Sequence, residues 1–192
     1  MNQALITDLL TEILSKGLGL DLSDPNLKET PKRIAKMWCT EFLKGLNEKP
    51  PKVTVFPNDE KYNELILLDT IHFVSMCSHH FLPFYGKAWI AYVPKDFLLG
   101  ASKPSRIVNH FAARPQLQEN LCKQVLDCIV KTVDPAGVIV VMRAEHGCMT
   151  CRGVNQYGGA SMTTSAVYGV HEKDAKARGE ALSLIHLSIK QG

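Results

Sequence analysis

Leu65-Ile-Leu-Leu-Asp-Thr-Ile-His-Phe-Val-Ser-Met76 runs into Cys77-Ser78-His79-His80, and Phe84-Tyr-Gly-Lys-Ala-Trp-Ile-Ala-Tyr-Val93 follows. The two flanking runs are rich in Ile, Leu, Val and aromatic residues and read as long strands. Between them a thiol and an imidazole stand three residues apart, close enough to bind one zinc ion from a single turn. A soft divalent metal suits that pair, whereas Mg or Ca would want oxygen ligands. Two ligands are too few to hold zinc. His146-Gly147-Cys148-Met149-Thr150-Cys151-Arg152-Gly153 is the best source of others. A lone Cys and His would more often be core packing; the second cluster moves the balance to metal.

Outward from that centre, Ala4 to Lys16 reads as a helix, with Leu9, Leu10, Ile13 and Leu14 at helical spacing and Gly17 and Gly19 ending it. Thr30-Pro31 reads as an N-cap followed by proline at the first helical position. Ile34, Met37, Trp38 and Leu43 then extend a helix from Pro31 to Leu43 or Lys44, with Arg33 off its apolar stripe. Pro50-Pro51 closes this helical region, residues 1–50, and separates it from residues 51–192. Val53 to Phe56 reads as a short strand, and Gly86-Lys87 marks a twist or bulge in the strand that ends at Val93. Pro94-Lys95-Asp96 is a turn.

Ser102 to Ala113 reads as a helix with Ile107, Val108 and Phe111 inward. Arg114-Pro115 breaks it, and a second helix runs from Pro115 to about Thr132 with Leu117, Leu121, Val125, Leu126 and Ile129 inward. Cys39, Cys122 and Cys128 read as packing residues. Val138 to Ala144 is an apolar strand ending at the second Cys/His cluster. Gly158-Gly159 marks a loop, Ala160 to Val170 a strand and Lys173 to Ile189 a closing helix. This order predicts an α+β protein, an antiparallel sheet with helices laid on one face.

Bulk properties narrow the function. Twenty-two basic against nineteen acidic residues in 192 leave a net charge of +3, too balanced to argue for nucleic acid. No apolar run reaches membrane-spanning length. Met1 to Leu10 has no basic n-region and carries Asp8, so no signal peptide is expected. A cytoplasmic protein with reduced thiols is the expectation, and there Cys and His at metal spacing mean metal or catalysis more often than disulfides.

Two zinc sites fit the clusters. Cys77, His80, Cys148 and Cys151 would make a closed structural site; Cys77, His80 and Cys148 alone would leave a catalytic position open. The spacing does not choose, but His79, His146 and Arg152 flank the site, and a structural zinc needs none of them. A catalytic zinc lowers the pKa of water to near 7, and a neighbouring imidazole moves protons at that pH. A zinc nucleoside deaminase is excluded, because no His-x-Glu or Cys-x-Glu precedes a Pro-Cys-x-x-Cys. Lys103 and Arg106 share a face at a helix start, a ready anion site. Gln118-Glu119 offers an amide and a carboxylate for the N–H edge of a purine.

Several spaced segments together resemble the GTP cyclohydrolase I family over nearly the whole chain: Glu29 to Met37, Cys77 to Phe81 with Gly86-Lys87, Tyr92 to Lys95, Gly100 to Lys103 with Arg106 to Val108, Gln116 to Glu119, and His146 to Met149 with Arg152 to Val154. The resemblance implies a tunnelling fold over 51–192, a toroidal homodecamer and active sites between subunits. It implies that GTP and water become formate and 7,8-dihydroneopterin triphosphate, a first step toward pterins and tetrahydrofolate. Cys77, His80 and Cys148 would ligate zinc. His146 would be the main proton carrier, His79 a second acid/base near the ribose, and Ser102 would lie near ribose and phosphates. Glu119, with Gln118 beside it, would hold guanine. Lys103, Arg106 and Arg152, joined by Arg33 from a neighbouring subunit, would grip the triphosphate. No nucleic-acid or membrane partner is implied. Ser78 and Thr150 stand where bacterial members carry Glu and Lys, Cys151 has no ligand role in the family, and Gly147 implies a looser loop.

Overall fold

A computed structural model describes residues 1–156 and 159–191, so Gly158 of the expected Gly158-Gly159 loop lies outside the described residues. The chain forms two compact units, Met1–Lys49 and Pro50–Gly192.

In the first unit, α1 (Gln3–Glu12) starts at Asn2, whose Oδ1 accepts from Leu5 N at 3.1 Å, an N-cap that satisfies an orphan donor. A π-helical turn, Ile13–Gly17, continues it. α2 (Thr30–Met37) has proline in its first turn, as expected, but begins one residue early, and Glu29 at the cap position makes no side-chain cap bond. The continuous helix expected to Leu43 or Lys44 instead widens into a π-helical turn at Trp38–Phe42. α1 packs on α2 with Leu10 and Ala35 buried.

The second unit is built on one long sheet. β1 (Val55–Pro57) pairs antiparallel with β4 (Phe97–Leu99), a two-stranded ribbon of which only the first half was anticipated. β2 (Ile66–Cys77) and β3 (Pro83–Val93) form an antiparallel hairpin. α3 (Lys103–Ala112) leads into β5 (Pro115–Gln116), then α4 (Gln118–Val133). β6 (Gly137–His146) runs into a one-turn helix, α5 (Gly147–Thr150). β7 (Ser161–Gly169), α6 (Val170–Lys173) and α7 (Ala175–Gln191) complete the chain. The sheet order is β5-β2-β3-β6-β7, antiparallel except for the short β2–β5 pairing.

Alternation along the strands makes two cores. Ala88, Ile90, Tyr92, Val138, Val140 and Met142 point to the face covered by α3 and α4, which contribute Ile107, Val108, Leu121, Val125, Leu126 and Ile129. Each such aliphatic side chain, buried, contributes about 1.5–3 kcal/mol. Trp89, Ala91, Ile139 and Val141 point the other way and meet Ala181 and Ile185 of α7. The helix pair therefore lies on one face, as expected, while the closing helix lies on the opposite one. That difference follows from β3 and β6 being apolar on both faces.

Two local expectations are corrected. Pro115 to Leu117 is not helix: Pro115 and Gln116 pair with Met76 and Cys77, and Leu117 is exposed rather than inward. The proline disfavours helical geometry at Arg114 and, lacking an N–H, lends itself to the sheet edge where β5 lies. The bulge lies in β2 between Leu68 and Ile71, where Thr70 has φ 49°, not at Gly86-Lys87. Gly86 has another use. A Cβ there would sit 1.9 Å from the Arg143 carbonyl oxygen and 2.6 Å from Ala144 Cα, so only glycine allows β3 and β6 this approach. Gly86→Ala is expected to lose about 3 kcal/mol or more of stability by overpacking, measured as a lowered urea midpoint; an unchanged midpoint would contradict the tight approach.

Candidate metal and proton-transfer site

The β2–β3 hairpin loop is short because its backbone closes on itself. Phe81 N donates to Cys77 O at 2.9 Å, Cys77 N donates to Leu82 O at 2.8 Å, and Ser78 N donates to Gln116 O at 3.0 Å. Phe81 takes φ 52° to complete the turn. Cys77 is thereby held buried at the sheet end, while His79 and His80 stand exposed on the loop, their rings 6.2 Å apart.

The second cluster arrives through the β3–β6 ladder, whose last pair is Phe84 with His146. Immediately beyond, α5 turns Cys148 back toward the hairpin. The ligand atoms of Cys77, His80 and Cys148 all lie within 4.8 Å of one another, and among the described residues no fourth His, Cys, Asp or Glu joins them. Cys151 is exposed, and its Sγ donates to Gly147 O at 2.7 Å. The sequence left a closed four-donor set and an open three-donor set in play; the geometry assembles the three. The looser loop expected at Gly147 is not found: a Cβ there would stand 2.9 Å from Pro83 O and 3.5 Å from Leu82 Cβ, so α5 packs directly on the hairpin.

These donors fit a divalent soft metal. Tetrahedral zinc, with bonds of about 2.0–2.3 Å, sets its ligand atoms roughly 3.5–3.8 Å apart, within the observed limit. Burial, then the neighbouring Cys77 sulfur, push the Cys148 thiol upward, while Arg152 opposes them. Two thiolates about 4 Å apart would repel by about 4 kcal/mol at an effective dielectric of 20. A bound cation reverses that balance and deprotonates coordinating thiols.

His146 is 8% exposed and stacks on Phe84, with ring centroids 4.6 Å apart and planes 1° from parallel. Burial lowers its pKa from the ordinary imidazole value, and the Glu119 carboxylate opposes that shift. Gln118 is 1% exposed. Its Oε1 lies 2.8 Å from His146 Nε2, and its Nε2 donates to Met142 O at 3.0 Å and to Met162 O and Thr164 Oγ1 at 3.1 Å. Turning the amide over would set its oxygen against two carbonyl oxygens, and each buried polar group left without a partner costs about 1–3 kcal/mol. Both polar ends of the Gln118 side chain are thereby engaged within the protein. Thr150 is also engaged locally, Oγ1 donating to His146 O at 3.2 Å.

The remaining site residues divide. Glu119 and Arg152 are exposed and close enough to His146 and Cys148, respectively, to shift them electrostatically. Ser102, Lys103 and Arg106 are not brought to this end. The segment before α3 is tied by Leu99 N donating to Tyr92 Oη at 3.0 Å, and Tyr92 lies eight residues along β3 from Phe84, roughly 26 Å at strand rise. α3 then runs back toward Arg114, whose carbonyl accepts from Ser75 Oγ at 3.3 Å. Ser102, Lys103 and Arg106 thus sit at the far end of the sheet from Cys77. Arg33 is exposed in the first unit. Sequence reasoning missed Phe84 as the platform of His146; both residues were visible, but not their cross-strand pairing.

Two thiols and an imidazole that could hold a metal ion, with a buried histidine beside them, fit an enzyme of the α+β class. The chain belongs to the GTP cyclohydrolase I family, whose model matches residues 6–186. It is 47% identical over 176 residues to GTP cyclohydrolase 1 of Halalkalibacterium halodurans, covering 90% of this chain and 92% of that one. It is 46% identical over 188 residues to GTP cyclohydrolase 1 of Bacillus subtilis, covering 96% of each. The solved apo structure of the archaeosine synthase QueF-Like covers 55% of this chain and 93% of its own, at TM-score 0.46 and 20% identity. The antiparallel sheet with its helix pair agrees with the tunnelling fold that the resemblance implies. No described helix is long and apolar enough to cross a membrane.

Two substitutions separate the open centre from a four-donor one. Cys148→Ser is expected to bring bound metal from about one equivalent to near none, and Cys151→Ser to leave it unchanged, both read by elemental analysis of purified protein. Loss of metal from Cys151→Ser would restore the four-donor site.

Proposed function

We propose that this chain catalyses the zinc-dependent hydrolytic opening of the guanine imidazole ring of GTP, giving formate and 7,8-dihydroneopterin triphosphate. The observation that carries this reading is the meeting of Cys77, His80 and Cys148 beside His146, in a member of the GTP cyclohydrolase I family. Cys77, His80 and Cys148 would hold a zinc ion, which when bound would supply Lewis acidity toward water.

The chain's own groups do the rest. His146, poised by burial, takes and returns protons while C8 is hydrated and its bonds to nitrogen open. His79, exposed on the hairpin loop, serves as a second acid/base toward the ribose during rearrangement and reclosure. Glu119 accepts from the N–H edge of guanine, which orients C8 toward His146. Arg152 takes a phosphate oxygen. Ser102, Lys103 and Arg106 complete the ribose and triphosphate site from a second copy of the chain, with Arg33 also supplied by a neighbour. The active site thereby sits between subunits of a ring, a homodecamer, in the cytoplasm.

Purified protein supplied with zinc and GTP is expected to release formate and develop a pterin chromophore; absence of both would defeat the proposal. His146→Ala should keep zinc and GTP binding while turnover falls about 100-fold or more, and unchanged turnover would remove His146 from proton transfer. Lys103→Ala and Arg106→Ala should weaken GTP more than guanosine, by roughly tenfold for each lost charge-assisted contact. Equal loss for both ligands would rule out a grip on the phosphates.

A further inference from the structure

We infer that Gln118 is a positioning residue, whose Oε1 accepts the proton of His146 Nε2 and so fixes the tautomer and orientation of the ring. This rests on the proposed role of His146 and adds the residue that positions it.

A neutral imidazole can carry its proton on either nitrogen, and the partner of one nitrogen settles the matter. Here the partner is an amide whose own orientation is settled elsewhere. Met142 O and Met162 O are carbonyl oxygens and can only accept, so the amide NH2 of Gln118 must face them. Its Oε1 is left facing His146 Nε2 at 2.8 Å. An oxygen with no hydrogen can only accept, so Nε2 must donate. The information thus passes from the backbone of β6 and β7 through Gln118 to the imidazole ring.

Burial makes the arrangement rigid. Gln118 is 1% exposed and His146 8% exposed, so water does not substitute readily for either partner. Phe84 lies parallel to the ring at 4.6 Å and fixes its plane, while Gln118 fixes its rotation within that plane. Together they leave the ring one orientation and one tautomer. Gln118 itself sits at the first position of α4, directly before Glu119. One helix start therefore orients the proton carrier from inside and presents a carboxylate outside.

Neutron diffraction of the zinc-loaded full chain tests the assignment without relying on turnover. Deuterium on His146 Nε2, with or without a second on Nδ1, is expected; a bare Nε2 overturns the proposal. Gln118→Leu provides the functional arm. It should lower kcat about 100-fold with zinc content unchanged and the KM for GTP within about twofold. Unchanged kcat in Gln118→Leu, or a loss carried by KM alone, overturns the positioning role, the latter pointing to direct contact with guanine. Should Gln118→Leu fail to fold, the neutron map decides alone. Should wild-type protein release no formate from GTP, the proposed function fails while the map still reports the tautomer.

Discussion

The pairing of β3 with β6 is the constraint on which the site depends. Ten consecutive residue pairs run without a slip from Val93–Gly137 to Phe84–His146. A one-residue slip would turn every side chain of β6 to the other face. His146 would leave Phe84, and the apolar residues of β6 would exchange one core for the other. The register is held because both faces are buried, by α3 and α4 on one side and α7 on the other. Gly86 adds a steric condition, since only a residue without Cβ lets the two strands close at Arg143.

Once that ladder is set, the candidate metal site follows from two short turns. The hairpin loop after β2 and the helical turn α5 after β6 leave the same end of the sheet. Each carries one thiol toward the other, and His80 supplies the third donor. Two sulfurs held this close, one of them buried, are a poor arrangement for two free thiolates and a good one for a cation. Close packing of Gly147 on Pro83 keeps the turns together. Cys151, one helical turn beyond Cys148, is directed instead to the carbonyl of Gly147.

The same geometry separates two kinds of chemistry. Thiols, imidazoles, Glu119 and Arg152 gather at one end of the sheet. Lys103 and Arg106 stand at the other, because α3 begins beside the residues anchored by Tyr92 and runs back. Under the proposed function, the bond-breaking groups and Arg152 would come from one copy and Lys103 and Arg106 from another. On that reading the site would be complete only on association, which would couple substrate binding to assembly.

By itself the amino-acid sequence determined the secondary elements that carry strong periodicity, the donor types at Cys77, His80 and Cys148, and the presence of further histidines beside them. These are local properties: spacing along a strand or helix and the chemistry of a side chain survive without neighbours. Tertiary structure decided the rest. Whether Cys151 joins the candidate metal site, which face α7 covers, that the bulge falls near Thr70, and that the Gln118 side chain meets His146 all depend on distances between residues far apart in the chain. Propensity could not assign them, because a buried amide and an exposed one look alike in sequence, and only the packed strands supply the carbonyls that tell Gln118 which way to turn.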